Sequence, residues 1–285
     1  MIYKTISRME LNIPIPGGEQ VRLRAYLRPE QGFVADDGAR WAVIVCPGGR
    51  YGLVAPGEGE PVALAFLAAG IQAFVLDYSV APVRYPAALM ELAASVAWVR
   101  DHALEYGVAP DRVAVCGFSA GGHLAGCAAL LWNRPEIVRP MEKKAAAYRP
   151  DGAVLCYPVI SAGAHGHQDS FRNLLGEQYD KKAPGLSLEN QVKKGAPPFF
   201  LWHTADDTTV PMENTRLLET VLRDRGVSVE AHIFPHGVHG QSLADPTVFS
   251  PDRRWQISVP CAVWVERCHA WLQRNFCTLP VGEAR

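Results

Sequence analysis

Residues 112–132 read RVAVCGFSAGGHLAGCAALLW, a strand, a turn and a helix in one stretch. RVAVC is short and apolar, HLAGCAALLW is helix-like, and between them lies Gly117-Phe118-Ser119-Ala120-Gly121, a G-x-S-x-G. A strand that turns straight into a helix through a serine is the setting of a nucleophile elbow, where the sharp turn imposes strained backbone angles on the serine. Small residues at Gly117 and Gly121 let strand and helix pass closely. A plain glycine-rich βα turn has the same letters, so the motif needs partners elsewhere in the chain.

Outward from this stretch the same order repeats. VRLRAYL (21–27) alternates and predicts a half-exposed strand. WAVIVC (41–46), IQAFVLDY (71–78), GAVLCYP (152–158), PFFLWHT (198–204) and SVEAHIF (228–234) are mostly apolar throughout. Continuous apolar strands mark a parallel sheet covered on both faces. Residues 87–106 carry apolar side chains at three- and four-residue spacing, with Gly107 as a stop, and 213–225 and 261–276 repeat the pattern. Strand-then-helix order predicts a doubly wound α/β sheet, with the alternating N-terminal strand as its antiparallel edge. No repeat or low-complexity linker divides residues 1–285, which read as a single domain. Residues 161–197, rich in Gly, His, Lys and Asn, break the rhythm. A connection that long predicts a lid-like insertion over a pocket, with a solvated excursion as the alternative.

Bulk composition narrows the partners. The chain has 285 residues, 48% apolar and 20% charged, with a net charge of -1. That balance offers no basic surface for nucleic acid or an acidic membrane, and points to a small or neutral molecule. The first residues, MIYKTISRMELNIPIPGGE, lack a continuous apolar segment and predict no signal peptide; no run reaches bilayer length. Seven cysteines without a C-x-x-C pair, three of them (Cys46, Cys116, Cys156) ending strand-like runs, predict reduced thiols in a cytoplasmic protein.

A serine hydroxyl is too weakly acidic to attack an ester unaided and needs a base and a group to hold that base. On an α/β sheet these follow in chain order, acid then histidine, at the C-terminal ends of later strands. PFFLWHT is followed by ADDTTVP, and SVEAHIF by PHGVHG. Spacing leaves Asp206 and Asp207 open, and likewise His236 and His239. His123 reads as packing at a helix N-terminus, and His203 ends a strand where it lines the site. His165 and His167 have metal-like spacing, but two ligands without a third make a poor zinc site. CPGGRYG (46–52) breaks an apolar strand with Pro47, Gly48 and Gly49; it lacks the G-x-x-x-x-G-K-[ST] spacing of a phosphate loop. The N–H of Ala120, next after the serine, is one expected oxyanion donor.

From about residue 41 to 275 the chain resembles an α/β-hydrolase esterase of the acetyl-esterase branch, with acetylxylan-esterase-like, bacterial feruloyl-esterase-like and hormone-sensitive-lipase-like relatives. The resemblance rests on VCPGGRYG, EGEPVALAFLAAGIQAFVLDY, GFSAGGHLA, FFLWHTADDTTVP and FPHGVHGQSLA. It implies Asp207 as the acid, from a D-x-x-V-P pattern, and His239 as the base, from G-x-H-G. By likeness to the family's H-G-G-G or P-G-G-G turn it implies oxyanion donors at the N–H groups of Gly49 and Arg50, with Gly48 shaping the turn. Tyr51 matches the family's aromatic and is expected to wall the acyl pocket. Arg50 departs from the family's usual glycine, which suggests crowding or charge favouring short acyl groups on polar alcohols. The implied function is a serine carboxylesterase that removes acetyl groups from carbohydrate such as acetylated xylo-oligosaccharides, without cofactor or metal. A generic short-chain or xenobiotic esterase is the alternative. A peptidase of the prolyl-oligopeptidase kind would carry a large N-terminal propeller, a dienelactone-type hydrolase a cysteine at 119, and a binding module on this fold commonly a missing triad member. Sequence does not decide between a monomer and a homo-oligomer.

Overall fold

Strands that are apolar at every position cannot leave a face in water, and the chain meets this with helices on both sides of one sheet. The computed structural model describes residues 7–28, 40–248 and 258–276. Its strands are β1 (Ser7–Pro14), β2 (Gln20–Leu27), β3 (Arg40–Cys46), β4 (Gln72–Asp77), β5 (Val108–Phe118), β6 (Gly152–Cys156), β7 (Phe199–Thr204) and β8 (Val229–Phe234). They lie in the order β1-β2-β4-β3-β5-β6-β7-β8. β1 pairs antiparallel with β2, and β2 with β4; every other pairing is parallel.

The two-residue period persists beneath the continuous hydropathy. Ile44, Val115, Leu155 and Leu201 enter one core; Val45, Cys116, Val154 and Trp202 enter the other. The helices are α1 (Glu60–Ala68), α2 (Ala87–Asp101), α3 (Ala120–Leu131), α4 (Pro135–Val138), α5 (Gln168–Leu175), α6 (Tyr179–Leu186), α7 (Glu213–Asp224), α8 (Val259–Ala262) and α9 (Trp264–Phe276). α2, α3 and α7 cover the first face, and α1 and α9 the second.

Two expectations change. β2 is not the edge, because β1 lies outside it; β1 is mostly exposed and buries only Ile13. The helix expected over 87–106 stops at Asp101 and gives way to turns before Gly107, which takes φ 62°. Residues 161–197 fold into α5, α6 and short turns, with Phe171, Leu174, Leu186 and Leu188 in the same core as α2 and α3.

Because β3, β5, β6, β7 and β8 run parallel, the loops after them meet at one end of the sheet. Among the described residues, those other than glycine with positive φ are Arg50, Tyr51, Ser119, Tyr157, Ser242 and Ala244. All six lie in loops that follow β3, β5, β6 or β8. Backbone strain gathers where the chain holds a special geometry.

Candidate active site

Ser119 stands between β5 and α3 with φ 53° and ψ -117°. Its backbone is pinned from both sides. Its N–H donates to Cys156 O (3.0 Å), and its carbonyl accepts from Val159 N–H (3.0 Å) and His123 N–H (3.1 Å). A Cβ at Gly117 would lie 2.0 Å from Gly121 O, and one at Gly121 would lie 2.1 Å from Cys46 O. Only glycine fits either place.

The two open choices separate cleanly in space. His239, in the loop after β8, has Nε2 2.8 Å from Ser119 Oγ and Nδ1 2.6 Å from Asp207 Oδ2. Asp206 faces outward, where it meets exposed His236 at 2.9 Å. Asp207 is buried, and its Oδ1 accepts the N–H groups of Thr209 and Val210, both at 2.9 Å. Burial alone would raise its pKa; hydrogen bonds from His203 and His239 outweigh this and hold the carboxyl well below the usual range. An ionised Asp207 takes a proton donor at His239 Nδ1, which leaves Nε2 of the neutral ring to accept from the serine hydroxyl.

His203 stands behind this pair and does not line an open site: it is fully buried. Its Nε2 lies 2.8 Å from Val210 O and 3.2 Å from Asp207 Oδ2, so that nitrogen carries hydrogen toward two acceptors. Its Nδ1 accepts from the Thr215 hydroxyl at 2.8 Å. Its place four residues before Asp207 was the available signal.

The loop after β3 folds its carbonyls inward. Gly48 O accepts from Ala55 N–H (2.9 Å), and Gly49 O from Gly52 N–H (2.9 Å) and Leu53 N–H (3.1 Å). The N–H groups of Gly49, Arg50 and Ala120 have no acceptor among the described residues. Gly49 has φ 128°, and a Cβ there would meet Leu53 O at 2.1 Å. A Cβ at Gly48 would lie 3.1 Å from Ser119 Cβ, so this loop abuts the serine.

Arg50 and Tyr51 both take left-handed φ, 58° and 55°. Their carbonyls are held by Asn173 Nδ2 (2.9 Å) and Ala81 N–H (2.8 Å) respectively. Tyr51 does not wall a pocket. It is 2% exposed, and its hydroxyl donates to His123 Nδ1 at 2.8 Å. His123 Nε2 in turn donates to Leu186 O at 2.9 Å, and burial lowers its pKa to about 4, so the ring stays neutral. Packing at α3 is the role the sequence suggested for it. Within HGH, His165 lends its backbone carbonyl to Asn214, while His167 Nδ1 lies 2.9 Å from Ser170 Oγ. Burial lowers the His167 pKa. Among the described residues no three His, Cys, Asp or Glu side chains gather as a metal site.

Sheet order, elbow and loop positions together are those of an α/β hydrolase, and the class is that of the α/β-hydrolase esterases. Residues 54–222, more than half of the chain, match the BD-FAE family, and the chain belongs to it. Among solved structures, an acetyl ester-xyloside bifunctional hydrolase from Caldicellulosiruptor lactoaceticus superposes with a TM-score of 0.76 at 36% identity, over 90% of this chain and 88% of that one. Endo-1,4-beta-xylanase B of Butyrivibrio fibrisolvens is 37% identical over 222 residues, 75% of this chain and 34% of the relative. An acetylxylan esterase of Xylanibacter ruminicola is 28% identical over 215 residues, 73% of this chain and 42% of the relative. The chain thus spans between a third and two thirds of the length of the curated relatives it matches. No helix of the described residues is long and apolar enough to cross a membrane.

Proposed function

We propose that this chain is a serine carboxylesterase acting on short acyl esters, and that its substrates are acetylated carbohydrates such as acetylated xylo-oligosaccharides. The observation that carries the chemistry is the run from Ser119 Oγ to His239 Nε2 (2.8 Å) and from His239 Nδ1 to Asp207 Oδ2 (2.6 Å). The reaction follows from it. As Ser119 Oγ attacks the ester carbonyl, His239 Nε2 takes its proton, and ionised Asp207 balances the imidazolium. The N–H groups of Ala120, Gly49 and Arg50 receive the oxyanion of the tetrahedral intermediate. His239 then returns the proton to the departing alcohol, leaving the acyl group on Ser119. A water that gives its proton to His239 attacks next, and the acid leaves as Ser119 regains its hydrogen.

The carbohydrate part of the proposal is supported by the relatives, one an acetylxylan esterase and one an acetyl ester-xyloside hydrolase. Relatives described simply as esterases support a broader short-chain activity as the second reading. Acetate release from acetylated xylo-oligosaccharides, measured beside hydrolysis of p-nitrophenyl acetate, separates the two. Release from both supports the carbohydrate substrate; activity on the dye ester alone supports the broader esterase.

A further inference from the structure

A buried carboxylate next to the serine has no place in the reaction written above. Glu58 lies in the turn before α1 and is 6% exposed. Its Oε2 accepts the Gly48 N–H at 2.7 Å, and its Oε1 accepts the Tyr157 hydroxyl at 2.6 Å. We propose that Glu58 is a positioning residue for the oxyanion-binding N–H groups, holding the loop after β3 in register with the loops after β6 and β8. The proposal rests on the serine-esterase reading of this site.

On one side Glu58 closes a circuit. Gly48 N–H reaches its carboxylate, Gly48 O accepts Ala55 N–H (2.9 Å), and Ala55 O accepts Glu58 N–H (3.2 Å). Gly48 is thereby fixed through both its donor and its acceptor. A glycine left without such contacts roams widely, and Gly49 and Arg50 follow directly in the chain. On the other side, the Tyr157 hydroxyl oxygen accepts Ser242 N–H (2.8 Å), and Ser242 Oγ donates to Gly57 O (2.6 Å). Ser242 stands three residues after His239, and the Tyr157 ring packs edge-on against the His239 ring at 5.0 Å between centroids. One carboxylate therefore ties the oxyanion loop to the neighbours of the general base. Tyr157 and Ser242 hold φ of 37° and 54°, so this tie also restrains two strained residues.

The chemistry of the side chain matters. A carboxylate accepts through both oxygens, so it satisfies the Gly48 N–H and the Tyr157 O–H together. A glutamine of the same shape turns an NH₂ toward one of those donors and releases it. The loop then loses one of its fixed points without losing volume.

The test compares the parent with Glu58→Gln and Tyr157→Phe on p-nitrophenyl acetate, with thermal melting to confirm that each is folded. It adds inhibition by a short alkyl trifluoromethyl ketone, whose adduct with Ser119 sets an oxyanion against the same N–H groups. Glu58→Gln is expected to lower kcat by about 10- to 100-fold with KM little changed, and to weaken the ketone by a similar factor. Tyr157→Phe lowers both by a smaller factor, and it decides the matter if Glu58→Gln does not fold. A purely structural Glu58 would lower the melting temperature alone. Folded variants whose kcat and ketone affinity stay within roughly twofold of an active parent overturn the proposal. A parent without ester turnover overturns the serine reading, and this proposal falls with it.

Discussion

Asp207 is a carboxylate that burial should neutralise and that its neighbours keep charged. The hydrogen bonds from His203 and His239 hold its pKa below that of a free side chain. The sign of the consequence follows: a depressed folded pKa stabilises the protein above the unfolded value near 4, and that stability is lost as pH falls through the folded pKa. Asp207→Asn should therefore flatten the acid side of a stability profile from urea melts, and lower kcat/KM by roughly 10³- to 10⁴-fold, since the amide no longer fixes the imidazole. Arg50 carries its exposed side chain on a left-handed backbone, φ 58°, where glycine is more at ease. Arg50→Gly should leave the fold intact and shift acyl preference toward longer chains; an unchanged ratio of acetyl to longer-acyl hydrolysis would refute a specificity role. Ser119 was legible because its strand and helix are local. Asp207 could not be told from Asp206 by spacing, since the difference lies in which carboxylate meets Thr209 and Val210 N–H groups in a buried turn. Glu58 was illegible for a further reason: its partner Tyr157 is 99 residues away in the chain.

Between β6 and β7, the segment 161–197 reads as a lid-like insertion because it is long and rich in Gly, His, Lys and Asn. Its apolar residues Phe171, Leu174, Leu186 and Leu188 anchor it in the main core. Phe171 is 1% exposed in the main core, and Phe171→Ala should cost about 3–5 kcal/mol in a denaturant titration; a much smaller loss would mean a loosely attached lid. α5 also reaches the loop after β3, where Asn173 Nδ2 holds Arg50 O. α6 ends at Leu186, whose carbonyl receives the hydrogen of His123 Nε2. Burial keeps that imidazole neutral, with a pKa of about 4 in the folded chain against about 6.5 unfolded. Between those values the unfolded chain binds the extra proton, so stability falls as pH drops from about 6.5 to about 4, by on the order of 3 kcal/mol. His123→Gln should remove most of that slope. An equal slope in the variant would assign the loss to other groups. β1 was missed although Met9, Leu11 and Ile13 alternate with Arg8, Glu10 and Asn12, because the run is short and only Ile13 of the three is buried.

Across the whole molecule, the sheet was legible because both faces bury alternate residues of the same strands, which writes continuous apolar runs into the sequence. Strand order was not written there, and the fold supplies it: parallel β3, β5, β6, β7 and β8 carry Gly49, Ser119, Tyr157, Asp207 and His239 to one end. Residues up to 185 positions apart are then joined by a direct hydrogen bond, as Ser242 is to Gly57. The proposed function stands on that convergence at Ser119. Its most direct test is the rate of p-nitrophenyl acetate hydrolysis by Ser119→Ala, folded and at equal concentration beside the parent. Loss of the nucleophile should lower kcat by at least about 10³-fold and abolish the acyl-enzyme burst. A variant that keeps more than about a tenth of the parent rate would contradict acyl transfer through Ser119.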